Sequence, residues 1–236
     1  GDAQAATPRP GAESLLPVPA TPVVIAGGAA MTTTGSVTDS TAISITATPT
    51  ATPTPTPEGC LRPPDDVAPV TVRDEYTLNR RTLAMLEHAQ TLYGGEHDFI
   101  LAITQGSYNQ GVEASFGTHD GGGAVDLAVR DLNDWNHVLY EEMEAMISAL
   151  RRAGFAAWLR DTGSLYPGSP VHIHAIAIGD PELSEPARRQ LDGPEGYFYG
   201  YDGLPLDPPQ PDPHGGPVVC PWMVELGYLD GAAVGD

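Results

Sequence analysis

Apolar positions recur at helical spacing in two stretches of the chain. From Thr77 to Tyr93 they fall at Leu78, Met85, Leu86, Ala89 and Leu92, and Gly94-Gly95 follows. Residues three and four apart share one helix face, and glycine supplies the left-handed turn that ends a helix. This stretch therefore predicts an amphipathic helix. From Asp134 to Arg152 the apolar face is Val138, Leu139, Met143, Met146, Ile147 and Leu150, with Asp134 able to cap the start and Gly154 closing the end. Four short runs read as strands: Phe99 to Thr104, Gly123 to Val129, Phe155 to Leu159 and Val171 to Ile178. The order helix, strand, strand, helix, strand, strand predicts an α+β domain, a small antiparallel sheet with helices on one face. From Asp180 onward the pattern thins to an aromatic cluster, Tyr197 to Tyr201, and a proline-rich segment, Leu206 to Pro217, so secondary structure is expected to thin out there.

The first 58 residues carry no such pattern. They are rich in Ala, Thr, Pro and Ser and end in the Thr-Pro repeat TATPTATPTPTPE. Proline fixes φ and successive prolines hold polyproline II, so residues 1–58 read as an extended segment and stalk, its threonines open to glycans, and residues 59–236 as the domain. Within 35–47 the alternation of Val37, Ile43 and Ile45 reads as a flexible tail or as one strand. A lone strand has no partner of its own, and this one can complete a sheet on a second copy, giving self-association.

Charge narrows the partners. The formal net charge is −20, and the 11 basic residues are all arginine. Such a surface repels phosphate backbones and anionic lipid faces, which argues against nucleic acid and membrane-surface binding. The apolar run from Pro22 to Met31 is too short to span a bilayer, and no signal peptide is read in the opening residues. The two cysteines, Cys60 and Cys220, stand near the two ends of the domain, outside any metal-ligand spacing. They read as a disulfide, the alternative being two free thiols. A bond between them favours an extracellular or cell-surface location.

Two local patterns carry chemistry. In the run HIH, His172 and His174 are two apart on a strand and face one way, while Val171, Ile173, Ala175 and Ala177 face the other. Two imidazoles side by side bring four ring nitrogens that need partners. In HDGGGAVD, His119 precedes Asp126 across three glycines, and Asp126 sits among Val125, Leu127 and Val129. A carboxylate in a buried strand needs a cation or several donors. Two histidines and one carboxylate form a set suited to Zn2+, with one coordination position left for water.

At these residues the chain resembles the zinc peptidase superfamily that groups lysostaphin-type peptidases, D-Ala-D-Ala metallopeptidases and the hedgehog amino-terminal domain. The shared signature is a His and an Asp separated by six residues, then a histidine closing an HxH. ITQGSYNQGVEASFGTHDGGGAVDLAVRD (103–131), RRAGFAAWLRD (151–161) and HIHAIAI resemble segments of the hedgehog domain. The likeness covers roughly residues 75 to 180. It implies a hedgehog/DD-peptidase-like fold, His119, Asp126 and His174 as zinc ligands, His172 beside the metal as a catalytic group, and Asp161 as the catalytic base. Two departures follow. Gln105, Tyr108, Asn109 and Gln110 stand where the hedgehog domain has its acidic calcium ligands, so no calcium site is expected. The Ser107–Asn109 turn lacks the arginine that holds a substrate carboxylate in many D-Ala-D-Ala peptidases.

The function expected is a zinc metallopeptidase acting on peptidoglycan peptides, as a carboxypeptidase or endopeptidase. The alternatives are a non-catalytic zinc-binding head and a surface or filament-forming structural subunit. His88 and His137 read as helix surface or packing residues, and Trp135, Trp158 and Trp222 as core.

Overall fold

A computed structural model describes residues 57–162 and 166–228. The segment 35–47, with its strand expectation, lies outside the described residues. The fold is α+β, with two small antiparallel sheets and four helices. Strands β1 (Pro69–Val72) and β2 (Tyr76–Asn79) make a hairpin; β3 (Ile103–Gln105), β4 (Ala124–Ala128), β5 (Phe155–Arg160) and β6 (His172–Ala177) make a sheet of order β3-β4-β6-β5. The helices are α1 (Arg80–Tyr93), α2 (Met143–Arg152), α3 (Glu185–Asp192) and α4 (Pro221–Glu225).

The alternation of β4, β5 and β6 divides side chains between two faces. Val125, Leu127, Phe155, Ala157, Ile173, Ala175 and Ala177 enter one core with Met85, Leu86 and Ala89 of α1 and Met146, Ile147 and Leu150 of α2. Each fully buried Leu, Ile, Met or Phe contributes about 1.5–3 kcal/mol relative to exposure. The opposite face is covered too, which corrects the expectation of helices on one face. Ala156, Trp158 and Ile176 pack with Leu183, with Ala187 and Leu191 of α3, and with Trp222 and Met223 of α4. Helix α3 escapes a hydropathy reading because only Ala187 and Leu191, four apart, are buried. Its start is nonetheless written locally: Ser184 accepts from Ala187 N–H, and Pro186 sits in the first turn.

Both long helices begin later than the apolar spacing predicts. Thr77 and Leu78 belong to β2, and Asn79 caps α1 by accepting from Thr82 N–H at 2.8 Å. Leu78 is still buried, so its apolar position is correct and its element is not. Asp134 does not start α2. Its carboxylate accepts from Asn136 N–H, and Val138 bridges back to Arg130, so 134–142 forms turns and α2 starts at Met143. His137 therefore lies on no helix, and Trp135 is 53 % exposed rather than core. In the expected strand from Phe99, residues 99–102 are a turn. Asp98 Oδ1 accepts from Ile100 and Leu101 N–H, and only Ile103–Gln105 pairs, with β4.

Cys60 and Cys220 are disulfide-bonded across 160 residues, with Cα atoms 5.5 Å apart, so the first and last described segments are joined. Chain-entropy arguments give about 5 kcal/mol for closing a loop of that length. Reduction is therefore expected to lower the melting temperature by more than 10 °C, roughly 2–4 °C per kcal/mol at this size. Calorimetry with and without reductant checks it, and an unchanged transition would remove the bond from the stability account.

Candidate metal centre

The site lies on the face of the sheet away from α1 and α2. Asp126 and His174 are direct cross-strand partners in the β4–β6 register, and Trp158 is paired with His174 from the other side. His119 reaches them from the loop between β3 and β4. That loop is tied back on itself: Tyr108 N–H donates to Gly121 O and Asn109 N–H to His119 O, both at 2.8 Å. The three glycines do more than turn the chain. A Cβ on Gly121 would lie 2.2 Å from Glu182 O, and Gly123 holds φ +80°, so this stretch fits only by running against the backbone of 182–184 without side chains.

The ligand atoms converge. His119 Nδ1 donates to Gly106 O at 2.9 Å, which turns Nε2 into the site. His119 Nε2 lies 3.2 Å from Asp126 Oδ1 and 3.3 Å from His174 Nδ1, and His174 Nδ1 lies 2.7 Å from Asp126 Oδ1. A tetrahedral ion with bonds of about 2.0–2.1 Å needs ligand atoms about 3.3 Å apart. Two of the three edges match, and the third is drawn in by a hydrogen bond that an ion would replace. Two imidazoles and a carboxylate, all buried, form a donor set that can hold a metal ion. His174 Nε2 is buried and has no hydrogen-bond partner, so the ring is placed by what its Nδ1 faces.

Protonation fits the same reading. Burial pushes His174 down to about 4, so its ring is neutral at physiological pH. Burial alone would raise Asp126, but His119 and His174 outweigh it and hold the carboxyl well below its usual range. Burial pulls His119 down, and the Asp126 charge with the hydrogen bonds to Asp126 and Gly106 more than offsets it, leaving His119 raised. Without metal, His119 therefore keeps a proton to higher pH than a free imidazole, and a metal must displace that proton. Affinity should fall as pH drops through and below the raised His119 value, on the order of tenfold per pH unit. Competition titrations at pH 8, 7 and 6 check this, and a flat profile would exclude a protonated histidine from the ligand set.

His172 and Asp161 lie at the same cavity. His172 Nδ1 donates to Pro170 O at 2.7 Å, leaving Nε2 facing Asp126 Oδ2 at 3.7 Å, outside the three-ligand group. Asp161 follows β5 directly and lines the cavity with His119, Asp126, His172 and His174. The space directly over the ligand atoms is about 60 Å³, room for an ion and a water. It continues on one side into a hollow of about 330 Å³ at Gln105, Tyr166 and Pro170, and Phe116 and Gln190 are shared with another of about 360 Å³ toward Pro186 and Pro205.

Among the lining residues that the sequence reading did not single out are Arg160 and Gln190. Period-two alternation in β5 places Arg160 on the face of Ala156 and Trp158, and only the β5–β6 register puts it opposite His172. Burial pulls its guanidinium down to about 10, so it stays charged at neutral pH. Three of the other histidines are held elsewhere: His88 to Gly59 O, His97 to Ala128 O and His214 to Glu144. Comparison with known proteins finds no matching family model, no matching curated protein and no matching solved structure.

Proposed function

We propose that the domain is a secreted or cell-surface zinc metallopeptidase that cleaves peptide bonds in peptidoglycan peptides. One observation carries the reading: the buried His119/Asp126/His174 group, able to hold a metal, forms the floor of a cavity that Asp161 and His172 also line. Buried carboxylate and imidazole ligands with an opening above them suit a catalytic ion more than a closed structural one. The HDGGGAVD and HIH motifs, with their likeness to zinc peptidases, supply the reaction class, and the disulfide is compatible with an extracellular setting.

Zinc held there would supply Lewis acidity toward a carbonyl oxygen and acidify water. The side chains do the rest. Asp161, at the rim, takes a proton from the attacking water and passes it to the leaving amine. His172, fixed by Pro170 O through Nδ1, offers Nε2 to the developing oxyanion, as a donor when the ring is protonated. The hollows on either side give an extended peptide room to cross the centre.

The test is metal analysis coupled to hydrolysis of purified peptidoglycan fragments by the full chain. The expected result is about one zinc per chain with turnover, and turnover reduced roughly 10²–10⁴-fold in Asp161→Ala with metal retained. Full metal occupancy without turnover on any fragment would leave a zinc-binding head and sink the enzyme.

A further inference from the structure

Strand β5 ends on a buried cation that has no anionic partner beside it among the described residues. Arg160 is 8 % exposed, it lines the cavity over the His119/Asp126/His174 group, and its Nη2 is buried without a hydrogen-bond partner. Among the described residues no hydrogen bond or ion pair reaches its guanidinium. Its close contact is the Trp158 ring, 5.0 Å to the centroid, while Asp202, Asp126 and Asp212 attract it only from a distance. The other buried arginines are held firmly. Arg151 makes hydrogen bonds to Ala157 O, His214 O, Gly216 O and Asp212, and Arg81 to Pro64 O and Ile178 O. A buried charge left unpaired is costly, and a fold that keeps one over an open cavity has it available for a ligand. On the same cavity wall, Gln190 Oε1 is a buried acceptor that also lacks a partner.

From this pairing we infer that Arg160 receives a carboxylate of the ligand beside the metal-ligand group, with Gln190 accepting from an adjoining amide N–H. A guanidinium presents a planar fork of donors matched to two carboxylate oxygens, and stacking on Trp158 fixes that plane. The ligand class is a short peptide whose carboxylate lies within a residue or so of the bond at the centre, an inference that rests on the peptidase reading for the word peptide. The carboxylate is either the chain terminus or an acidic side chain.

Calorimetric titration of the zinc-loaded full chain separates these. The probes are N-acetyl-Ala-Ala, its C-terminal amide, and N-acetyl-Ala-Glu amide, whose only carboxylate is on the side chain. Wild type is expected to bind one carboxylate probe at least about tenfold tighter than the uncharged amide, roughly what one charge-assisted pair contributes. The preferred probe identifies the source. Arg160→Met should lose the preference and melt at a higher temperature, because an uncompensated buried charge is gone; Arg160→Lys should keep part of the preference. Equal or absent binding of all three probes by wild type would overturn the inference. So would a preference that survives in Arg160→Met, or a lower melting temperature in both variants, which would make Arg160 structural. Hydrolysis is scored separately: preference without turnover retains the carboxylate subsite and removes the peptidase, and turnover without preference does the reverse.

Discussion

His174→Ala is expected to empty the metal centre, while His172→Ala keeps it filled. The two imidazoles stand two residues apart on one face of β6, so both substitutions remove the same group from the same strand. Of these two, only His174 contributes a ring nitrogen to the three converging atoms; His172 Nε2 is 3.7 Å from the far oxygen of Asp126. Loss of His174 leaves two protein ligands. Metal per chain should fall from about one to near zero, and the stabilisation that binding adds, about 2.7 kcal/mol at a hundredfold excess over Kd, should vanish with it. Chelator should then lower the melting temperature of wild type and of His172→Ala but not of His174→Ala. In the proposed enzyme, His172→Ala should still slow turnover by roughly 10²–10³-fold, the usual effect of removing one oxyanion donor. Metal lost from His172→Ala and kept by His174→Ala would reverse the two roles.

The largest stability effect of a single substitution is expected outside the metal-ligand group. Arg151 is fully buried at the end of α2, and its guanidinium holds the tail to the sheet: Nη2 pairs with the equally buried Asp212 at 2.6 Å, Nη1 donates to His214 O and Gly216 O, and Nε and Nη2 to Ala157 O. Arg151→Ala strands the Asp212 carboxylate and three carbonyls in the interior. Breaking a buried pair in this way costs about 3–5 kcal/mol, or roughly 10 °C in melting temperature for a domain of this size. The paired replacement Arg151→Met with Asp212→Leu should cost much less than the single change, since it removes both charges together. Equilibrium denaturation of the three proteins checks it; an Arg151→Ala cost below about 1 kcal/mol would mean that the tail is held by its apolar contacts alone.

The sheet was legible in the sequence where its strands are short, apolar and alternating, as in GAVDLAV and HIHAIAI, because period two fixes which side chains share a face. Asp126 and His174 were legible as chemistry because a carboxylate and an imidazole among apolar strand residues need partners, and His119 because three glycines let the chain turn it back toward Asp126. Element starts were less so. Asn79 and Asp134 are both good caps, and only the hairpin before Asn79 and the bridge from Arg130 to Val138 decide which of them begins a helix. Arg160 and Gln190 were not legible at all. Their place at the cavity depends on the register between β5 and β6 and on α3 packing over the sheet, neither of which a hydropathy pattern encodes.

The Cys60–Cys220 bond also sets how the domain bears tension. The Thr-Pro segment enters immediately before Cys60. A pull between that segment and anything beyond Cys220 runs through the sulfur–sulfur link and along α4, and the 160-residue loop is shunted out of the load. At about 3.4 Å per residue, roughly 540 Å of chain is locked away from extension. His119, Asp126 and His174 all lie inside that loop, so the backbone that connects them carries none of a pull applied through Cys60 and Cys220 until the link is reduced.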